Sequence, residues 1–246
     1  MLDSKRPLIF VGSRQKMSRL AFAAELLGIE VLGILDYHYY GNTADISGIP
    51  VIGDERWLLD DTNTQAQTWK DTCDFFPGNW WEGKQPTDKT RPNLGLLRQQ
   101  RIDVLEQAKV NVTNLINPLS VIENPNSQYA NVNFGRGIFI DSDCWISNNF
   151  IDIGDYCSIS YGTKISWHTR LGKNVCVGPN TYLYSCDIGD NSYFGMFSKI
   201  DISRSQQEKI TIGKNCTVWS NCSVVKDVED NKIYTDNNRT FKKLNV

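Results

Sequence analysis

Residues 153–188 read IGDYCSISYGTKISWHTRLGKNVCVGPNTYLYSCDI, and two columns run through them. Large apolar residues stand six apart at Ile153, Ile159, Ile165, Leu171, Val177 and Leu183. Four positions after the first five come the smaller Cys157, Thr163, Thr169, Val175 and Thr181. The large column extends upstream through Phe134, Ile140 and Ile146. Downstream it resumes after a one-residue deletion at Ile188, Phe194 and Ile200, and after a loop at Ile212, Val218 and Val224. The small column follows it with Ser192, Ser198, Cys216 and Cys222. Four tetrads, Ile153-Gly-Asp-Tyr, Leu171-Gly-Lys-Asn, Ile188-Gly-Asp-Asn and Ile212-Gly-Lys-Asn, punctuate the run. This period predicts coils of three short strands, with large residues filling the interior and small ones where the chain bends close to the axis. Glycine, Asn and Asp supply the corner geometries. Helical periodicity is absent, which excludes an α-solenoid. The polar stretch Asp201 to Lys209, DISRSQQEK, breaks the period. It reads as a loop thrown out from one corner, either a plain surface insertion or a flap over a neighbouring site.

On these columns the stretch from about Leu115 to Tyr234 resembles the hexapeptide-repeat acyltransferases. The resemblance implies an all-β left-handed parallel β-helix of about six coils. The segment Val224-Val-Lys-Asp-Val-Glu-Asp-Asn is similar to that family's closing motif. Fold alone does not fix chemistry, so the site needs its own argument.

The whole chain has 246 residues, with 26 basic against 28 acidic side chains and a net charge of −2. No block of like charge occurs, which argues against non-specific nucleic-acid binding and a polybasic membrane anchor. A hydrophobic fraction of 40% fits a globular protein. No apolar run approaches the roughly 18 residues of a membrane span. The opening MLDSKRPLIFVG lacks a signal-peptide layout, so the expected location is cytoplasmic. Seven cysteines, an odd number without any CxxC, are expected as reduced thiols. With only His38 and His168 present, one chain cannot build a three-histidine metal site, and no metal is expected.

The N-terminal half reads differently. Pro7 to Gly12 is a buried strand, Ser13 to Leu27 a helix stopped by Gly28, Ile29 to Leu35 a second strand, and Ile49-Pro-Val-Ile-Gly a third. Strand, helix and strand in about 30 residues make a βαβ unit, whose ligand site belongs at the strand C-termini. The turn Gly12-Ser-Arg-Gln-Lys lacks a GxGxxG fingerprint, yet it sets Gly12, Ser13 and Arg14 where free N–H groups favour phosphate. Asp36, at the end of the second strand, stands where an acid accepts a ribose or base hydrogen bond. On residues alone these positions read equally as a helix N-cap, solvated cations and a strand-end aspartate. Asp71 to Pro92, with Trp80 and Trp81, reads as a long irregular loop whose tryptophans are packing anchors. Leu94 to Ala108 reads as an amphipathic helix leading into the first coil.

A small βαβ domain, a strand ending Leu-Asp, then Ile-Ser-Gly-Ile-Pro-Val-Ile-Gly and a β-helix is similar to the nucleotide-sugar N-acyltransferases related to the bacillosamine-pathway acetyltransferase. The resemblance implies an α/β, Rossmann-like domain over 1–114 that holds the nucleotide of a UDP- or dTDP-linked amino sugar. A β-helix acyltransferase domain over 115–246 follows. Gly12, Ser13 and Asp36 fall on the family's loop and acidic positions. Arg14-Gln-Lys replaces a glycine-rich loop, and Tyr37 stands where a second aspartate is common. The same resemblance implies a homotrimer with acetyl-CoA between adjacent β-helices.

Acyl transfer to an amine needs a base, an oxyanion donor and a groove for the thioester. Imidazole suits the base, since its ordinary pKa of about 6.5 lies near working pH. The β-helix has one histidine, His168, in the hexad Ile165-Ser-Trp-His-Thr-Arg, where the resembling enzymes carry their catalytic histidine. In the family that histidine stands two residues after the apolar position; here Trp167 does, and His168 is third. His38 reads as a rim residue. A Gly-x-Pro-Ala-type closing turn is missing, and Tyr234-Thr-Asp-Asn-Asn-Arg stands in its place. Lys226, Arg239 and Lys242 are candidates for the coenzyme phosphates. Gly178 and Gly195 are candidates for backbone approach to the pantetheine arm. The reading is acetyl transfer from acetyl-CoA to the amine of a nucleotide-linked amino-deoxy sugar. Its alternative is a catalytically inactive, nucleotide-sugar-binding or structural trimer on the same scaffold.

Overall fold

The computed structural model describes residues 5–13, 17–78, 94–123, 131–201, 208–235 and 239–242, the side chains of 94–97 and 239–242 excepted. Contacts divide the chain into two units, Met1–Leu115 and Ile116–Val246.

The first unit is built on a mixed five-stranded sheet. Its elements are β1 (Leu8–Val11), α1 (Ser18–Leu26), β2 (Val31–Leu35), β3 (Asp45–Ile46), β4 (Ile49–Gly53), α2 (Thr64–Thr72), β5 (Asp74–Pro77) and α3 (Leu94–Ala108). The order is β3-β4-β2-β1-β5, parallel except for β3 against β4. Leu8, Ile9, Phe10 and Val11 are all buried, as a continuous apolar run in a covered parallel sheet must be. The helix expected from Ser13 begins at Ser18, with Met17 at its N-cap, and Ser13 does not cap it. Its end is as read: Gly28 takes φ +65°, the left-handed geometry that closes a helix. Asp74–Pro77 departs from the expected irregular loop, for it is a buried strand paired in parallel with β1. Its proline sits at the end of a strand at the sheet's margin, where a missing N–H costs least. Trp80 and Trp81 lie outside the described residues. The helix over Leu94–Ala108 has the expected bounds.

The second unit is a three-sided parallel β-helix. One face stacks six strands, from Val121–Ile122 through Trp145–Ile146, Lys164–Ser166, Tyr182–Tyr184 and Lys199–Ile200 to Ser223–Val224. A second face stacks five, including Ile151–Ile153, Arg170–Leu171 and Cys186–Ile188. The third, starting at Leu115–Ile116 where the units divide, has eight, the last one antiparallel. The register repeats coil on coil: Ile146 faces Ile165, which faces Leu183. Both sequence columns point inward. From Ile140 to Val224 the large column is buried, and the nine small residues are each at most 1% exposed. The small hydroxyls work as well as fit, since Thr163 and Thr181 donate to the carbonyls of Gly178 and Gly195 one coil on.

All seven cysteines are free and buried. Burial pushes the Cys186 thiol up to about 12 and that of Cys144 up to about 11. The thiolate is the reactive form. At pH 8 a disulfide reagent is therefore expected to titrate essentially none of the seven thiols in the native protein and all of them after unfolding; rapid native labelling would contradict this burial. No helix among the described residues is long and apolar enough to cross a membrane.

Candidate active site

The hexad rhythm breaks on one edge of the prism only. Between the third and first faces, and between the second and third, the large column advances by six at every coil, as from Ile159 to Ile165 and from Leu171 to Val177. Between the first and second faces the advance changes each time. It is seven from Ile146 to Ile153, six from Ile165 to Leu171, five from Leu183 to Ile188 and twelve from Ile200 to Ile212. The one-residue deletion and the Asp201–Lys209 loop thus fall on the same edge; residues 202–207 lie outside the described ones. In a solenoid, length changes gathered on one side mark the side free of packing duty, often the binding side.

His168 is on that edge. Elsewhere the left-handed corner positions are mostly Asn, Asp or Gly, such as Asp143, Gly162, Asn180 and Asn221. Here they are Phe150 (φ +55°), Trp167 (φ +37°), His168 (φ +50°) and Ser185 (φ +46°), while Tyr156 and Phe197 are the bulky exceptions on the other edges. Bulky residues are outliers in this region, and such strain gathers at functional sites. Neighbouring coils hold the corner. The Trp167 N–H donates to Ser147 Oγ (3.3 Å), and the His168 N–H to the Asn149 carbonyl (2.8 Å). The Trp167 carbonyl accepts from the Ser185 N–H (2.8 Å). Both N–H groups of the Trp167–His168 pair are spent within the β-helix, so an oxyanion donor must be another group.

The side chains point outward. Phe150 is 54% and Trp167 48% exposed, and His168 is exposed beside them. The imidazole stacks on the Phe150 ring at 4.7 Å and 13°, and Trp167 flanks it at 5.7 Å. From Trp167 the rings continue to Tyr184 (6.4 Å) and on to Tyr182 (6.2 Å). Tyr182 lines an open hollow of about 820 Å³ on the first face with Trp145, Gly162, Lys164, Asn180 and Thr181. A run of aromatic rings therefore joins that hollow to His168. Phe150 is the residue the sequence reading misses; its signal is a phenylalanine one residue before the strand Ile151–Ile153, at a corner position that otherwise favours Asn or Gly.

No protein-family model and no curated protein matches the sequence significantly. Solved structures match it over nearly its whole length. One is a histidine-to-asparagine variant of perosamine N-acetyltransferase from Caulobacter crescentus, in complex with CoA and GDP-perosamine, at 20% identity over 93% of each chain with a TM-score of 0.72. The acetyltransferase domain of PglB from Neisseria gonorrhoeae matches at 17% identity, over 95% of this chain and 98% of that one, with a TM-score of 0.73. WeeI from Acinetobacter baumannii matches at 16% identity, over 96% and 99%, with a TM-score of 0.71. The chain has the fold of the hexapeptide-type sugar N-acetyltransferases.

Within this sugar N-acetyltransferase fold the other candidate residues separate into groups. Lys226 is exposed in the turn after Val224, on the same irregular edge as His168 and three coils away. At about 4.8 Å per strand spacing that is roughly 14 Å. Gly178 and Gly195 stand on a different edge, between the third and first faces. A Cβ on Gly178 would lie 2.7 Å from the Phe194 carbonyl, and one on Gly195 2.4 Å from the Ser220 nitrogen. Their N–H groups donate to Phe194 and Val218. Close packing of successive coils accounts for both glycines.

In the first unit, Gly12, Ser13, Asp36 and Tyr37 do converge, at the C-terminal ends of β1 and β2. Asp36 is 2% exposed and Ser13 is buried. Asp36 accepts from the Ser13 N–H (2.7 Å) and hydroxyl (2.8 Å) and from the His38 N–H (2.9 Å). The Gly12 N–H donates to Leu35. Of the amides expected to face a phosphate, those of Gly12 and Ser13 are thus already paired. Tyr37 is exposed, with its ring against His38 at 3.7 Å and under the Arg56 guanidinium at 4.8 Å. Arg14 and Lys16 lie outside the described residues, as do the side chains of Arg239 and Lys242.

Proposed function

We propose that this protein transfers the acetyl group of acetyl-CoA to the amine of a nucleotide-linked amino-deoxy sugar. The observation that carries the reading is the placement of His168, the β-helix's one histidine, on the irregular edge, at the end of an aromatic run that begins in an open hollow. The amine nitrogen attacks the thioester carbonyl carbon, and a tetrahedral intermediate forms. His168 removes the proton that the nitrogen sheds. The carbon–sulfur bond then breaks, the amide remains on the sugar, and the CoA thiolate leaves and takes up a proton. Phe150 stacked on the imidazole fixes the plane in which its ring nitrogens meet the substrate.

The coenzyme occupies the first face in this reading. Trp145 and Tyr182 offer it flat apolar surface, Lys164 offers a cation to its phosphates, and the thioester arm follows Tyr184 and Trp167 to His168. The first unit, read as Rossmann-like, takes the nucleotide at the β1 and β2 strand ends. The solenoid is read as left-handed and the active form as a cytoplasmic homotrimer. Support comes from the shared fold of enzymes whose solved complexes hold CoA and a nucleotide-linked amino sugar. The nucleotide is read as UDP or dTDP, and a GDP-linked sugar is the third arm of the test.

The test is calorimetric titration with acetyl-CoA, followed by thiol release with UDP-, dTDP- and GDP-linked amino sugars. Saturable coenzyme binding, with thiol released only when one of the sugars is added, is the expected result. Nucleotide-sugar binding without any coenzyme binding would replace this reading with the inactive binding protein. Lys164→Ala is expected to weaken coenzyme binding by about tenfold, the equivalent of one charge-assisted contact. An unchanged affinity would move the coenzyme off this face.

A further inference from the structure

Three charged side chains are buried together in the first unit, and the chemistry above uses none of them as a reactant. Arg101, on α3, has a side chain 4% exposed. Its Nη1 meets Glu55 Oε1 at 2.7 Å, and its Nη2 lies 3.9 Å from Asp36 Oδ1. Glu55 is 1% exposed. Burial pushes its carboxyl up from the ordinary range, while the Arg101 charge pulls it back down. Two buried carboxylates without a cation would repel each other, and the guanidinium set between them offsets that repulsion.

What the carboxylates do with that charge is hold backbone. Glu55 Oε2 accepts the Tyr37 N–H at 2.6 Å, and Asp36 Oδ1 the His38 N–H at 2.9 Å. Asp36 Oδ2 reaches the neighbouring strand end and accepts both the N–H and the hydroxyl of Ser13. Those two loops follow adjacent parallel strands, paired at Val11 and Leu35. The same guanidinium lies 5.1 Å from the centre of the exposed Tyr37 ring. One cation, contributed by a distant helix, therefore sets three amides and one aromatic ring at the end of the sheet where ligands of parallel sheets bind.

We infer that Arg101 is a positioning residue for the nucleotide-sugar site: through Asp36 and Glu55 it holds the loops after β1 and β2 in their binding conformation. This rests on the reading of the first unit as the nucleotide-binding one. Without Arg101, the two carboxylates lose the cation that holds them together, and the amides of Ser13, Tyr37 and His38 lose their fixed acceptors.

Arg101→Met and Arg101→Lys are compared with the full-length protein by binding, kinetics and amide hydrogen exchange. For Arg101→Met, the KM for the nucleotide sugar should rise by about tenfold or more, with kcat and coenzyme affinity within about twofold. Exchange at Ser13, Tyr37 and His38 should accelerate by at least about tenfold, while Ile9, Phe10 and Ile34 stay protected. Arg101→Lys should lie between, because an ammonium meets one carboxylate at a time. If Arg101→Met does not fold, the lysine variant carries the same comparison. Unchanged exchange at the three amides, or a loss confined to kcat, overturns the proposal. If the native protein binds no nucleotide sugar, the reading of the first unit fails, and the exchange data still judge the clamp.

Discussion

His168→Ala is expected to lower the acetyl-transfer rate by about 10²- to 10⁴-fold, the usual span for losing a general base. Coenzyme and nucleotide-sugar affinities should change little. The fold should persist, because the exposed imidazole fills no interior space and its backbone N–H is kept by alanine. Restoring part of the rate with added imidazole would separate a lost proton acceptor from a disturbed corner. A rate within a few-fold of the original would remove His168 as the base.

The second large effect concerns stability. Phe194 is fully buried, with Val177 and Val218 as its neighbours on adjacent coils. Phe194→Ala is expected to cost about 3–5 kcal/mol, the range for a large aromatic deleted from a core. The upper part of the range applies because the walls cannot close on the gap. The coils around it are tied by ladder bonds such as Tyr193 N–H to Cys216 carbonyl (2.9 Å) and Gly195 N–H to Val218 carbonyl (2.8 Å). Denaturant unfolding of the β-helix measures it. A cost near ~1 kcal/mol would mean that the interior relaxes far more easily than this ladder allows.

The β-helix is legible in the sequence because its interior is one-dimensional. Ile165 and Thr169 repeat the environment of Ile159 and Thr163, so packing writes the same pair of sizes at each hexad. His168 is legible as a residue, but its offset from the apolar position is not interpretable without the structure. The irregular edge explains it. That corner changes length along the solenoid, and in the coil of His168 consecutive left-handed residues at 167 and 168 bring both side chains outward. Phe150 escapes a sequence reading because only its backbone geometry distinguishes it from a strand residue. In the first unit, Asp36 is visible as a strand-end acid, whereas nothing in the sequence singles out Glu55 or Arg101. Nothing in the local pattern near either residue shows that the other will be buried against it. β5 goes unread because Asp74-Phe-Phe-Pro is too short for alternation and carries a proline.

Mass spectrometry of the nucleotide amino sugar after incubation with acetyl-CoA and the protein decides whether acetyl transfer occurs. The expected product is heavier by one acetyl group, formed with one equivalent of CoA and lost in His168→Ala. An unmodified sugar after long incubation across the UDP, dTDP and GDP series, with coenzyme intact, would contradict it.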